Sequence, residues 1–303
     1  MIYTVTFNPS LDYAMNFHQI KQGALNRAVS AAISAGGKGI NVSRILTQLN
    51  IDNQILGFIA GFTGDEIERE LKENGYSTDF IRLEKGVSRI NVKVSSEGIT
   101  ELNAPGPEIS KNSLEALYAQ LDRLNEGDFL VLAGNIPEGM PDFTYSLILE
   151  RMNRRGVNSI VDASGNVLLS TLNFAPFLIK PNRQELEELF STTIPNHESS
   201  IRYIRELQNK GARNVLVSLD HEGAVLGCEN SDILYMPAPE GNINNTVGAG
   251  DSMVAGFIWG YLEKGNYEDA LECSISAGSA AVFSPGMPSG DDIRALRRLL
   301  RKC

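Results

Sequence analysis

The stretch Asn245-Thr246-Val247-Gly248-Ala249-Gly250-Asp251-Ser252-Met253-Val254-Ala255-Gly256 decides the reading of this chain. Two glycines precede an acidic residue, and apolar residues then recur at helical spacing: Met253, Val254, Phe257, Ile258, Tyr261 and Leu262. A Gly-rich turn that opens a helix aims several backbone N–H groups at one spot, where the positive end of the helix dipole also falls. Such a spot favours an anion, a phosphate above all. Asp251 would compete with that anion unless it has a task. The task that fits is general base toward a hydroxyl that attacks the phosphate. Read alone, the residue could equally be a carboxylate near the N-cap that satisfies orphan amides.

Two other glycine motifs fail. A dinucleotide fingerprint needs a third glycine where Met253 stands, and a Walker A loop needs Ser or Thr where Gly39 follows Gly37-Lys38.

The 303 residues suffice for a large α/β domain, and 42% hydrophobic with 21% charged residues is the composition of a folded globular chain. A formal net charge of −10 argues against nucleic acid or an anionic membrane surface as partner. Any phosphate ligand must therefore meet a local basic cluster. Cys228, Cys273 and Cys303 lie far apart with no metal-ligand spacing, and His18, His197 and His221 are isolated. This excludes a zinc site and a His-based triad, and the odd cysteine count predicts a reducing compartment. The N-terminus lacks the pattern of a signal peptide and no apolar run spans a bilayer, so the expectation is a cytoplasmic protein.

Short β-branched runs alternate with amphipathic stretches. Strands are predicted at 2–7, 55–60, 129–133, 159–162, 177–180 and 214–218. Helices are predicted at 39–49, 65–74, 110–124, 142–154, 199–210, 251–264, 267–283 and 291–301. The strands read as continuous apolar runs, as in a parallel sheet covered on both faces. The pattern predicts a doubly wound α/β domain over residues 1–303, with ligands outside the carboxyl ends of the strands.

One region departs from this pattern. Val87 to Val94 alternates strictly, Ile90, Val92 and Val94 on one face and Arg89, Asn91 and Lys93 on the other, and Glu97-Gly98 reads as a hairpin turn into 99–102. Residues 11–34 could supply further strands. Together, about 11–34 and 87–103 predict a small antiparallel sheet protruding from the main domain. Its basic row is either a solvated face or one wall of a phosphate site.

A second Gly-rich turn, Ala35-Gly36-Gly37-Lys38-Gly39-Ile40-Asn41, also feeds a helix. Bare backbone at Gly36 and Gly37 lets a polar ligand approach, Lys38 offers a charge to a phosphate, and Asn41 offers a donor and an acceptor to a sugar hydroxyl. The two clusters, in this order, closely resemble the two signatures of the PfkB-type (ribokinase-like) carbohydrate kinases. Thr6-Phe7-Asn8-Pro9-Ser10-Leu11-Asp12 is similar to that family's opening strand. Lys180-Pro181-Asn182-Arg183-Gln184-Glu185 is similar to its Asn-x-x-Glu element.

The resemblance implies ATP as phosphoryl donor and Mg²⁺ as cofactor. Asp251 would be the base, and Gly248, Ala249 and Gly250 would hold the transferring group. Lys180, Asn182, Ser218 and Gly223, with Gly248 and Gly250, would bind nucleotide, and Glu185 would act on Mg²⁺. Asp12, Gly37 and Asn41 would hold sugar hydroxyls, and Lys38, Arg89 and Lys93, with Arg27, an existing sugar phosphate. The acceptor implied is a phosphorylated ketohexose: fructose 1-phosphate at its 6-hydroxyl, with tagatose 6-phosphate as the alternative. A non-catalytic sugar-phosphate sensor on the same fold is the reading from another class. The protruding sheet would be a lid, and two lids could meet in a homodimer.

The chain departs from the family pattern at two places. Ala133-Gly134-Asn135-Ile136-Pro137 lacks the usual hydroxyls, and Asp220 replaces glycine in Ser218-Leu219-Asp220-His221-Glu222-Gly223. The latter places a negative charge near the path of the ATP phosphates, at a position that asks for positive φ.

Overall fold

The computed structural model describes residues 1–301, so Cys303 lies outside the described residues. In chain order the strands are β1 (Ile2–Thr6), β2 (Ser10–Asn16), β3 (Ser30–Gly36), β4 (Asn53–Ala60), β5 (Thr78–Leu83), β6 (Arg89–Ser95), β7 (Ile99–Asn103), β8 (Phe129–Ala133), β9 (Asn158–Asp162), β10 (Leu178–Ile179), β11 (Asn214–Ser218), β12 (Ala224–Gly227) and β13 (Ile233–Met236). The helices are α1 (Lys38–Gln48), α2 (Gly61–Glu73), α3 (Lys111–Leu121), α4 (Thr144–Asn153), α5 (Gly165–Thr171), α6 (Arg183–Phe190), α7 (His197–Asn209), α8 (Ala249–Lys264), α9 (Tyr267–Phe283) and α10 (Gly290–Leu300).

Nine strands form the main sheet in the order β13-β12-β11-β10-β9-β8-β1-β4-β5. It is parallel from β11 to β5 and closes with the antiparallel edge β12 and β13. Val131 and Leu132 of β8, like Ile160 and Val161 of β9, are fully buried because helices cover both faces. One face packs on α1, α8 and α9 around Val42, Leu46, Val254 and Phe257. The other packs on α3, α4 and α7 around Leu117, Tyr145, Ile148 and Ile204. The chain runs from β1 to β4 on one side and returns to β8 on the other. A topological switch point therefore opens at the carboxyl ends of β1 and β8, where ligands seat in such sheets.

The predicted strands and helices all form, within a few residues at their ends. Strands β5, β12 and β13 and helices α5 and α6 are additional to the prediction. Most residues of β5 and β13 are only half buried, which weakens the apolar signal that marks the central strands.

Residues 11–34 do supply strands. The second sheet runs β3-β2-β6-β7, with β2–β3 and β6–β7 antiparallel and the central β2–β6 pair parallel. The parallel pairing follows from the chain path: β2 follows β1 and β6 follows β5, and those two strands run parallel in the main sheet. The register aligns Ile33, Tyr13, Val92 and Leu102 on one face and Ser34, Asp12, Asn91 and Asn103 on the other. The apolar face is the outer one: Ile33 is 58% exposed and Leu102 58%, whereas Asn91 is 6% exposed. The basic row is thus turned inward rather than solvated.

Candidate active site

Helix α8 begins at the switch point. Its N-cap, Gly248, has φ of 80°, a left-handed conformation that glycine adopts without strain. This turn presents the first N–H groups of the helix, which no intrahelical carbonyl can satisfy. Lys180 reaches over the same turn, its Nζ 3.0 Å from where a β-carbon on Gly250 would sit.

Asp251 is 5% exposed in the first turn of α8. Asn41 Nδ2, from the first turn of α1, donates a 2.8 Å hydrogen bond to its Oδ2. Burial and then the charge of Asp162 push the Asp251 carboxyl up to about 6, against the pull of Asn41, Lys38 and Lys180.

Asp162 carries no role in the sequence reading, yet it is the electrostatic centre of this end. It closes β9 and is 1% exposed. Lys38 Nζ donates to its Oδ2 at 3.3 Å, and Lys180 Nζ lies 3.4 Å from Oδ1. The second contact is an ion pair without hydrogen-bond geometry, leaving Oδ1 buried with no hydrogen bond. Burial disfavours charge on Asp162, but Lys180 and Lys38 hold its carboxyl below the usual range. Burial likewise works against charge on Lys38, and Asp162, Asp251 and Glu185 outweigh it, so the ammonium pKa is raised. The available signal was position, a carboxylate at the carboxyl end of a predicted parallel strand.

The Asn-x-x-Glu element is first of all a helix start. Asn182 caps α6 by accepting from the Glu185 amide at 2.8 Å, and Glu185 Oε2 accepts from the Asn182 amide at 2.9 Å. This capping box occupies one oxygen of Glu185. Asn182 also bridges to Ser218 at the end of β11. Beyond it, Asp220 holds φ of 53° and Gly223 φ of 98°. The Asp220 carboxylate is 78% exposed, 4.0 Å from Arg183 Nε. The left-handed conformation expected at Asp220 is therefore present, and a cation lies beside its charge.

The other end of the site is on the inward face of the small sheet. Asp12 accepts from Ser10 Oγ at 2.6 Å and from Asn91 Nδ2 at 3.3 Å, and pairs with Lys93 Nζ at 2.9 Å. Its carboxylate lies against Gly36, 2.6 Å from where a β-carbon would stand, so any larger residue there would displace it. Arg89 donates from Nε to the Asn8 carbonyl at 3.1 Å and has no ion pair among the described residues. Burial pulls its guanidinium below the ordinary range, with Asp12 opposing.

Gly36, Gly37, Lys38 and Asn41 join the two ends, running from Asp12 to Asp251 along one loop and helix turn. Of the residues expected to face the sugar phosphate, Arg27 stands apart, exposed on the loop between β2 and β3. Gly134 follows β8, its amide donating to the Asp162 carbonyl at 3.0 Å and its carbonyl accepting from Tyr145 Oη at 3.1 Å. A backbone contact and the Tyr145 hydroxyl hold Gly134 there, where the usual hydroxyls of the loop are missing.

Residues 5–293 match the description "pfkB family carbohydrate kinase". The chain is 40% identical over 296 residues to 1-phosphofructokinase of Bacillus subtilis, covering 98% of this chain and 97% of that one. It is 37% identical to D-tagatose-1-phosphate kinase of Bacillus licheniformis, covering 95% and 94%. The crystal structure of Escherichia coli phosphofructokinase-2 in complex with fructose-6-phosphate superposes with a TM-score of 0.92 at 27% identity, covering 99% of both chains. The chain belongs to the pfkB family of carbohydrate kinases, phosphotransferases that act on a hydroxyl, and has their ribokinase-like fold.

Proposed function

We propose that this pfkB-family kinase transfers the γ-phosphoryl group of ATP to the 6-hydroxyl of fructose 1-phosphate, giving fructose 1,6-bisphosphate. The observation that carries the reading is Asp251, a buried carboxylate at the mouth of the Gly248–Gly250 turn with its pKa pushed up to about 6. A base poised near neutrality can take a hydroxyl proton and return it, which general-base catalysis rewards by roughly 10²–10⁴ in rate.

In this reading Asp251 Oδ1 takes the proton of the 6-hydroxyl while Asn41 holds Oδ2. The amides of Gly248, Ala249 and Gly250 receive the equatorial oxygens of the transferring group, and Lys38 and Lys180 stabilise the charge leaving toward ADP. Asn182, Ser218 and Gly223 line the nucleotide side. The family implies Mg²⁺, and the oxygens present fit it: Asp162 has a buried Oδ1 without a hydrogen bond, and Glu185 keeps Oε1 beyond its capping box. Among the described residues no group of three or more His, Cys, Asp or Glu forms a metal cage. When bound, the ion would neutralise phosphate charge.

At the sugar end Asp12, Gly37 and Asn41 hold hydroxyls, and Arg89 and Lys93 serve the 1-phosphate, whereas Lys38 lies on Asp162 at the reacting end and Arg27 stands exposed on the loop between β2 and β3. Arg89 is the stronger of the two, because Lys93 already pairs with Asp12. The exposed apolar face of the small sheet supports a homodimer in which two lids cover each other. No helix among the described residues is long and apolar enough to cross a membrane, and we place the activity in the cytoplasm.

A second reading is favoured by the D-tagatose-1-phosphate kinase relative. Tagatose differs from fructose only at C4, so tagatose 1-phosphate would present the same phosphate to Arg89. The deciding experiment is an acceptor panel with ATP and Mg²⁺: fructose 1-phosphate, tagatose 1-phosphate, tagatose 6-phosphate and fructose 6-phosphate. Fructose 1-phosphate should give the highest kcat/KM. A higher value for either tagatose phosphate would replace the acceptor, and no ADP from any of them would support a non-catalytic sensor.

A further inference from the structure

We propose that a cavity at the far ends of α1 and α8 binds a small phosphorylated anion, independently of the active site. The cavity has a volume of about 360 Å³ and is lined by Trp259, Glu263, Arg294, Arg297, Arg298 and Arg301, closed by Leu49 at the end of α1. That volume falls in the range of small-ligand sites. Helix α8 spans 16 residues from the Gly248 turn, which puts Trp259 roughly 15 Å along the axis from Ala249.

Part of the arginine cluster is structural. Arg297 is 6% exposed and spends all its nitrogens on Glu272, Glu263 and Asp269, with its guanidinium 4.5 Å from the Trp259 ring centroid. Arg301 pairs with Asp269 and Glu272. These pairs also suit the negative ends of the helices that stop here.

That account does not reach Arg294 and Arg298. They stand four residues apart on α10, a spacing at which like charges repel. Arg294 reaches only Asp291, at 3.5 Å, whose side chain is 98% exposed, a pair of little worth in water. Arg298 is exposed and has no ion pair among the described residues. With Arg297 and Arg301 matched by Glu263, Asp269 and Glu272, the charge left to face the cavity is that of Arg298 and the weakly paired Arg294, in a chain of net charge −10. Guanidinium forks match phosphate oxygens two at a time, so a phosphorylated ligand fits better than a lone carboxylate. Two sources share that chemistry, a nucleotide and a sugar bisphosphate.

Trp259 is the only tryptophan in the chain, so its emission reports on this cavity. The full chain is titrated with inorganic pyrophosphate, and in separate arms with ATP and with fructose 1,6-bisphosphate, which assign the source. A saturable change in emission is expected. It should weaken at least tenfold in Arg294→Gln/Arg298→Gln and further in Arg298→Glu, with kcat unchanged in both, and persist in Lys38→Ala. Calorimetry of the same variants should show the matching loss of a binding event. The proposal is overturned by an emission that does not saturate, by a signal that survives the arginine changes, or by one that disappears with Lys38→Ala.

Discussion

Asn41 Nδ2 lies 2.8 Å from Asp251 Oδ2, so the first turns of α1 and α8, far apart in the chain, share a hydrogen bond at the proposed base. Asn41 stabilises the charged carboxylate, while burial and Asp162 oppose it. The balance leaves the carboxyl at about 6, and kcat/KM should rise with pH through that region and level off above it. Asn41→Leu removes a contact that lowers the pKa, so the acid limb should move to higher pH. A limb that stays in place, or moves the other way, would remove Asn41 from the control of the base.

Asp251→Asn should cost on the order of 10²–10⁴ in kcat while sugar-phosphate and ATP binding, read by calorimetry, stay near wild type. Near-normal turnover would refute the base assignment.

The same substitution should stabilise the fold at neutral pH. The native carboxyl binds its proton more tightly than the unfolded one, about 6 against an ordinary value of 3.8. Stability from this group is therefore full below the unfolded pKa and lost as pH rises through 6. The penalty above pH 7 is on the order of 3 kcal/mol. Thermal melts should show Asp251→Asn gaining most over wild type near pH 8 and least near pH 4. Equal gains at both would mean the penalty is not titration.

Arg89→Ala should raise KM for fructose 1-phosphate more than Lys93→Ala, because Arg89 has no carboxylate to leave. Both should leave KM for ATP unchanged. Steady-state kinetics with each substrate varied in turn separates these effects, and the opposite ranking would move the phosphate toward Lys93.

Asp220→Gly removes a charge from the proposed nucleotide side and a left-handed φ of 53° from a non-glycine residue. The relief of strain, about 1 kcal/mol, is offset by the greater freedom of glycine in the unfolded chain, so Tm should change little. KM for ATP should fall severalfold. An unchanged or higher KM would show that Arg183 already neutralises the charge.

Ile33→Glu/Leu102→Glu places charge on the exposed face of the small sheet. Sedimentation should show a dimer for wild type and a monomer for the variant, with circular dichroism unchanged. A wild-type monomer at micromolar concentration would remove the dimer.

Much of the fold was legible because its signals are short-range. The continuous apolar runs of β8 and β9 are what a two-sided parallel sheet requires, whereas the helix that Asn182 and Glu185 start was not predicted, although its capping box is a local signal. The half-buried β5 and β13 lack such a pattern, and β12, although buried, is only four residues long, so these strands were not legible. Alternation from 89 to 94 sorted the side chains of β6 into two faces but not which face was inside. Apolar residues usually mark the inner face, and here the small sheet turns Asn91 inward and Ile33 outward.

The sequence by itself determined the Gly248–Asp251 anion turn, the Gly36–Asn41 turn and the helices they open, because backbone geometry at a glycine turn is set by adjacent residues. Only the tertiary structure decided the chemistry at Asp251. Its pKa depends on burial and on Asn41 and Lys38 of α1, Asp162 at the end of β9 and Lys180 after β10, groups from three distant segments. Desolvation and Coulomb interaction act through space, so they exist only once folding brings those segments to one crevice.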